Sequence, residues 1–173
     1  MESISFVPEE EQVPRNRRAD LYISDTPLPL YGALLRGVGR TDWTVAVVVP
    51  PSSLTDMQLL KERLGQTPKL HIYSLDDDLS DFSPSMYGAM YVDGTESEDK
   101  MAALREKVFG KTHFIALGKQ QDERYKLIST VDTTTAGDHG VHYITGDGKG
   151  KTTYALGRAT AGIINGDKTA IIQ

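Results

Sequence analysis

The stretch Asp42-Trp43-Thr44-Val45-Ala46-Val47-Val48-Val49-Pro50-Pro51 decides the fold class. From Trp43 to Val49 the residues are apolar or β-branched, with no apolar–polar alternation. A strand with one wet face alternates, so an unbroken run marks a strand covered on both faces. Pro50-Pro51 then stops it. A doubly covered strand belongs in a parallel sheet flanked by helices, and its neighbours in sequence should be helical.

They are. Leu54 to Leu64 repeats apolar residues at Leu54, Met57, Leu60 and Leu64, has Ser53 or Thr55 as a cap, and ends at Gly65. Leu70 to Leu75 reads as a strand running into Asp76-Asp77-Asp78. Ala89 to Val92 is another strand. Thr95-x-x-Glu98 has the spacing of a capping box, opening a helix from Ser97 to Phe109 with Gly110 after it. Thr112 to Leu117 and Leu127 to Val131 are further strands, with a helical turn at Asp122 to Lys126. On the N-terminal side, Leu21 to Ser24 is a strand. The turn-rich Asp25 to Pro29 leads to a short helix, Tyr31 to Gly39. Strands alternating with helices predict a three-layer α/β fold with a largely parallel sheet. Ligands of such sheets bind at the carboxyl ends of strands.

The chain has 173 residues, no Cys, 19 Lys and Arg, and 24 Asp and Glu, for a net charge of −5. Disulfides, thiolate metal sites and a Cys nucleophile are excluded. The acidic balance argues against a nucleic-acid partner. No apolar run reaches the roughly 18 residues of a membrane span, and Met1 to Asp20 lacks the apolar core of a signal peptide. The expectation is a cytoplasmic protein without a membrane partner. The charge is uneven. Residues 141–173 carry Lys149, Lys151, Arg158 and Lys168 against Asp147 and Asp167, an excess of +2, so residues 1–140 carry −7.

That basic tail repeats the logic of residues 20–49. Leu21-Tyr22-Ile23-Ser24 matches His142-Tyr143-Ile144-Thr145. Tyr31-Gly32-Ala33-Leu34-Leu35-Arg36-Gly37 matches Tyr154-Ala155-Leu156-Gly157-Arg158-Ala159, and Asp42 to Val48 matches Asp167 to Ile172. The loops differ. The first, Asp25-Thr26-Pro27-Leu28-Pro29, has no Gly or Lys, and its prolines remove two N–H groups. The second is Gly146-Asp147-Gly148-Lys149-Gly150-Lys151-Thr152-Thr153. A glycine-rich turn between a strand and a helix turns backbone N–H groups onto a phosphate chain. Lys151 then reaches the β- and γ-phosphates, the Thr152 hydroxyl ligates Mg²⁺, Lys149 adds charge at the rim, and Thr153 supports the helix start. Thr145 stands where the common phosphate-loop pattern has its first Gly. The other reading is a glycine-rich surface turn.

Tyr-Ile-Thr-Gly-Asp-Gly-Lys-Gly-Lys-Thr-Thr-x-Ala-Leu-Gly, from Tyr143, followed by a helix and Ala-Ile-Ile-Gln, resembles the opening of the ATP:corrinoid (cobalamin) adenosyltransferase family. The resemblance is strong over residues 143–173 and weaker over 21–132. It implies a P-loop NTPase-like fold and an enzyme that transfers the adenosyl group of ATP to the cobalt of a reduced corrinoid. Residues Gly146 to Thr153 would hold the triphosphate and Thr152 the Mg²⁺, with ATP and the corrinoid as small-molecule partners. It implies no catalytic residue that can be placed here, and no corrinoid contact. On this reading residues 1–19 are a flexible arm, 20–132 a degenerate P-loop-like domain, and 133–141 a linker. Residues 142–173 are the strand–loop–helix–strand start of a second copy, so the chain is expected to be the inactive front part of a tandem protein. A terminal unit with an unpaired strand also invites homodimer formation by exchange. Asp76 or Asp77 could serve the metal through water, although a solvated acidic loop is the simpler expectation. His139 and His142 lie close in sequence but suggest no third ligand. The alternatives are a non-catalytic pseudo-domain with a structural or regulatory role, and an unrelated P-loop NTPase.

Overall fold

The computed structural model describes residues 14–39, 44–65, 69–130, 134–136, 143–145 and 151–171. Six strands, β1 (Ala19–Ile23), β2 (Val45–Val49), β3 (Leu70–Ser74), β4 (Ala89–Asp93), β5 (His113–Gly118) and β6 (Lys126–Thr130), form one sheet in the order β3-β2-β4-β5-β1-β6. Every neighbouring pair is parallel. Four helices complete the architecture: α1 (Leu28–Val38), α2 (Leu54–Arg63), α3 (Glu98–Val108) and α4 (Lys151–Asn165). This is a three-layer α/β fold.

The valine run behaves as its composition requires. All five residues of β2 are buried. Val45, Val47 and Val49 pack with Leu30, Leu34, Met57 and Leu60 of α1 and α2, whereas Ala46 and Val48 face Met101, Leu104 and Val108 of α3. Burying each large side chain contributes roughly 1.5–3 kcal/mol, so one strand anchors both layers. α1 is buried almost all round, because the sheet lies on one side of it and α4 on the other. The stops of α2 and α3 at Gly65 and Gly110 are as read, and Gly166 ends α4 in the same way. Gly65, Gly110 and Gly166 hold left-handed φ values of 76°, 84° and 87° just past α2, α3 and α4.

Five expectations are corrected. α1 begins at Leu28, three residues early, with Pro27 before it and Pro29 in its first turn. Proline fits there because its missing N–H is one the helix leaves unbonded anyway. The cap of α3 is Ser97, whose hydroxyl accepts from the Lys100 N–H, and no Thr95–Glu98 box forms. Thr95 instead turns to Asp93, donating both its N–H (3.0 Å) and its hydroxyl (2.6 Å) to the same carboxylate oxygen. Neither Ser53 nor Thr55 caps α2 through a side chain. The expected linker contains a strand, β7 (Thr134–Ala136), antiparallel to β8 (Tyr143–Thr145). β8 therefore pairs locally in a two-stranded ribbon and does not join the parallel sheet as β1 does. The expected last strand is also absent over residues 167–171, which carry no regular structure and leave Ile171 41% exposed. A strand is stable only beside another, and none of the described strands lies against it. Ile172 falls outside the described residues.

Most of the expected arm, residues 1–13, is also outside them. Its last part turns through Arg15–Arg17 and is tied to the far end of α3, where Asn16 exchanges two hydrogen bonds with Gly110. Replacing Ser97 with Ala should cost about 1 kcal/mol, the usual worth of an N-cap hydroxyl, read as a lower urea midpoint at unchanged slope.

Candidate phosphate-binding site

The sequence places its strongest chemistry between β8 and α4. Gly146, Asp147, Gly148, Lys149 and Gly150 lie outside the described residues. Lys151, Thr152 and Thr153 do not: they form the first turn of α4. Lys151 is half-buried, Thr152 is exposed and Thr153 is buried. The first turn contains no acidic residue. The macrodipole makes this end of the helix partly positive, and Lys151 adds a full charge.

The first half of the chain grips this turn. Arg36, near the end of α1, donates from Nη1 to the Thr153 hydroxyl at 3.3 Å. Tyr22 of β1 shares a hydrogen bond with the same side chain. Burial first, and then the charge of Asp20, push the Tyr22 phenol above its ordinary range. It therefore stays neutral at physiological pH.

The grip depends on two glycines. A Cβ on Gly32 would lie 1.9 Å from the Thr153 carbonyl oxygen, and one on Gly157 would lie 1.9 Å from that of Leu28. Gly32 thus sits over the Thr153–Gly157 turn, and Gly157 sits over the turn that starts at Leu28. Each helix offers a glycine where the other's backbone arrives. Thr160 completes the contact, its hydroxyl bonding the Leu156 carbonyl at 2.8 Å and the Tyr31 carbonyl at 3.4 Å.

No family model, curated protein or solved structure matches the chain. The arrangement has to be read from its own chemistry.

The loop after β1 offers no cradle of the expected kind. Its Ser24 hydroxyl accepts from the Thr26 N–H at 3.1 Å, and the two hydroxyls are 3.3 Å apart. The three acids after β3 are bound locally. Asp76 pairs with Lys100 of α3. Asp77 accepts the Ser74 N–H at 2.8 Å. Asp78 accepts the Ser80 N–H at 3.0 Å, and bonds from Ser80 hold its carboxyl below the usual range. β3 is an edge strand four places from β1, about 19 Å at ordinary spacing. No group of three or more potential metal ligands occurs among the described residues. His71 bonds the Tyr87 hydroxyl through Nδ1 at 2.8 Å, and His113 bonds Asp20 through Nε2 at 2.6 Å. His139 and His142 lie outside the described residues.

Sequence reasoning passed over one acid. Ala89-Met90-Tyr91-Val92-Asp93 is also an apolar strand ending in a carboxylate, and Asp93 is 6% exposed. β4 adjoins β2 in the sheet, yet α2 lies with one core cluster and α3 with the other. That reversal is where parallel sheets open a crevice at the strands' carboxyl ends. The Asp93 charge reaches α1: burial, then Asp56 and Asp93, push the Tyr31 phenol up to about 12. The strand-then-acid signal was present in the sequence, but the three-acid run after β3 drew it away.

Proposed function

We propose that residues 146–153 hold the triphosphate of MgATP and that the protein serves adenosyl transfer from ATP to the cobalt of a reduced corrinoid. The observation that carries the reading is the start of α4 at Lys151, directly after the Gly-Lys run and with β8 before it. Lys151 and a helix N-terminus then stand together, a combination that suits an anion. Thr152, the residue the motif assigns to Mg²⁺, is exposed. The reaction breaks the bond from the ribose 5′ carbon to the triphosphate and forms a cobalt–carbon bond, with the electron pair coming from the reduced cobalt. The protein's share is to position the nucleotide and to balance the charge of the leaving triphosphate.

The first half takes a supporting role on this reading. Its own loop spends its side chains internally and carries Pro27, with Pro29 in the turn that follows. Its Tyr22, Arg36 and Gly32 are instead directed to α4.

The test supplies ATP and chemically reduced corrinoid to the longest natural protein that carries these residues and follows the cobalt–carbon product by absorbance. Product that requires ATP and disappears in Lys151→Ala supports the proposal. Nucleotide hydrolysis without that product assigns the site to an unrelated P-loop NTPase. MgATP binding with neither outcome assigns the chain a non-catalytic role.

A further inference from the structure

We infer that the first half of the chain has a ligand site of its own, in the crevice at the carboxyl end of β4, where Tyr31, Asp93 and Asp56 take a primary ammonium group. Side chains alternate along a strand, so Asp93 follows Ala89 and Tyr91 on the face of β4 that meets α1 and α2. Asp56 lies in the first turn of α2, and Tyr31 closes the first turn of α1. Tyr31 is packed into the core and is only 5% exposed. Its hydroxyl has no hydrogen-bond partner among the described residues. One Asp93 oxygen is in the same position, because both bonds from Thr95 end on the other. The buried side-chain atoms left unbonded among the described residues are Asp20 Oδ1, Arg105 Nε and Tyr125 OH. The Tyr31 hydroxyl and the free Asp93 oxygen are not among these, so each is an open polar atom on a residue otherwise sealed in the core.

The charge around that hydroxyl is one-sided. After burial, the charges acting on the Tyr31 phenol are Asp56 and Asp93, with no cation beside them. Pushed up to about 12, the phenol stays protonated and offers a neutral oxygen. An ammonium has three N–H donors and no acceptor. The Tyr31 oxygen, the free Asp93 oxygen and the Asp56 carboxylate are three acceptors, and bonds from a charged donor to a carboxylate are the strong kind. A metal ion fits less well. No group of three or more potential metal ligands occurs among the described residues, and hard cations prefer carboxylate, carbonyl and water oxygens to a neutral phenol. The site also stands apart from the Gly-Lys loop. α4 enters beside Arg36 in the last turn of α1, whereas Tyr31 is in the first. The competing role is purely local: Asp56 complements the positive end of α2, and Asp93 shapes the turn at Thr95.

Titration calorimetry of the whole chain with putrescine distinguishes the two roles. Tetramethylammonium, which has the charge without an N–H, and MgCl₂ are run beside it. Putrescine should bind at one site, and the other two cations at least ~10-fold more weakly. Asp93→Asn should weaken putrescine ~10–100-fold, as the loss of a bond to a charged group does. Tyr31→Phe should weaken it ~3–10-fold, with an unliganded melting temperature close to that of the wild type, because the hydroxyl it removes bonds nothing in the protein. Lys151→Ala should bind putrescine as the wild type does. The inference is overturned if the wild type does not bind putrescine, or if tetramethylammonium or Mg²⁺ binds as tightly. It is equally overturned if Tyr31→Phe and Asp93→Asn both bind within about two-fold of wild type, as a local role requires, or if Lys151→Ala abolishes binding. None of these outcomes bears on the triphosphate reading, which titration with MgATP decides separately.

Discussion

Gly157→Val is expected to release α4 from the rest of the protein. The new side chain would start 1.9 Å from the Leu28 carbonyl oxygen, 2.6 Å from its carbon and 2.9 Å from its Cα. All three are backbone atoms of α1, so no rotamer change can make room. Ordinary overpacking in a core costs about 1–3 kcal/mol because side chains yield. Here a whole helix must move, and the expected loss is at least the upper part of that range. The sheet has its own cover, since α1, α2 and α3 lie over β2 and its neighbours and α4 adds only Ile163 and Ile164 to that core. Hydrogen exchange should therefore show the α4 amides losing protection while those of β2, β4 and β5 keep theirs. Gly32→Ala should do the same from the other side, its Cβ meeting the Thr153 carbonyl. The two changes together should cost little more than either one. Gly162→Ala is the control. Its Cβ meets only the Thr169 methyl in the exposed tail, so α4 should stay protected. Full protection of α4 in Gly157→Val would contradict the described crossing.

His113→Leu is expected to cost about 1.5–3 kcal/mol, the usual worth of a hydrogen bond to a carboxylate that is buried. Asp20 lies on β1 with its side chain only 7% exposed. One carboxylate oxygen takes His113 Nε2 at 2.6 Å and Arg18 at 3.4 Å; the other is buried with no hydrogen-bond partner. Without His113, only the longer Arg18 contact remains. β1 and β5 are adjacent and in register, Asp20 opposite Ile115, so the damage falls at the seam between them. Asp20→Leu combined with His113→Leu should recover much of the loss, because replacing both partners of a buried hydrogen bond by apolar groups costs far less than stranding one of them. Urea denaturation of the two single variants and the double gives the coupling. Single variants within 0.5 kcal/mol of wild type would show that the pair carries no weight.

The parallel sheet was legible because its signals are local. The unalternating run at Trp43 to Val49 and the glycines that stop α2 and α3 need no knowledge of the rest of the chain. What the sequence hid is relational. The likeness between Tyr31 to Arg36 and Tyr154 to Arg158 suggested two copies of one unit. It gave no sign that the two helices pack on each other through Gly32 and Gly157. Nor did it show that β8 pairs with β7, because a three-residue strand carries no mark of its partner. The bond from Arg36 to Thr153 is invisible for the same reason: an Arg in the last turn of a helix is ordinary until a second helix arrives with its N-terminus beside it. Asp93 was legible in principle, as a single acid after four apolar residues. The Gly-Lys loop remains a sequence signal, followed in space by the first turn of α4.

The central claim is that this loop holds a triphosphate, and a thermal-shift titration with MgATP tests it most directly. If it does, the wild-type melting temperature rises steadily with MgATP, reaching the equivalent of about 2.7 kcal/mol at a hundred times the dissociation constant. Lys151→Ala, whatever its own starting temperature, shows no rise with nucleotide. Equal rises in the two proteins, or none in either, would contradict the account.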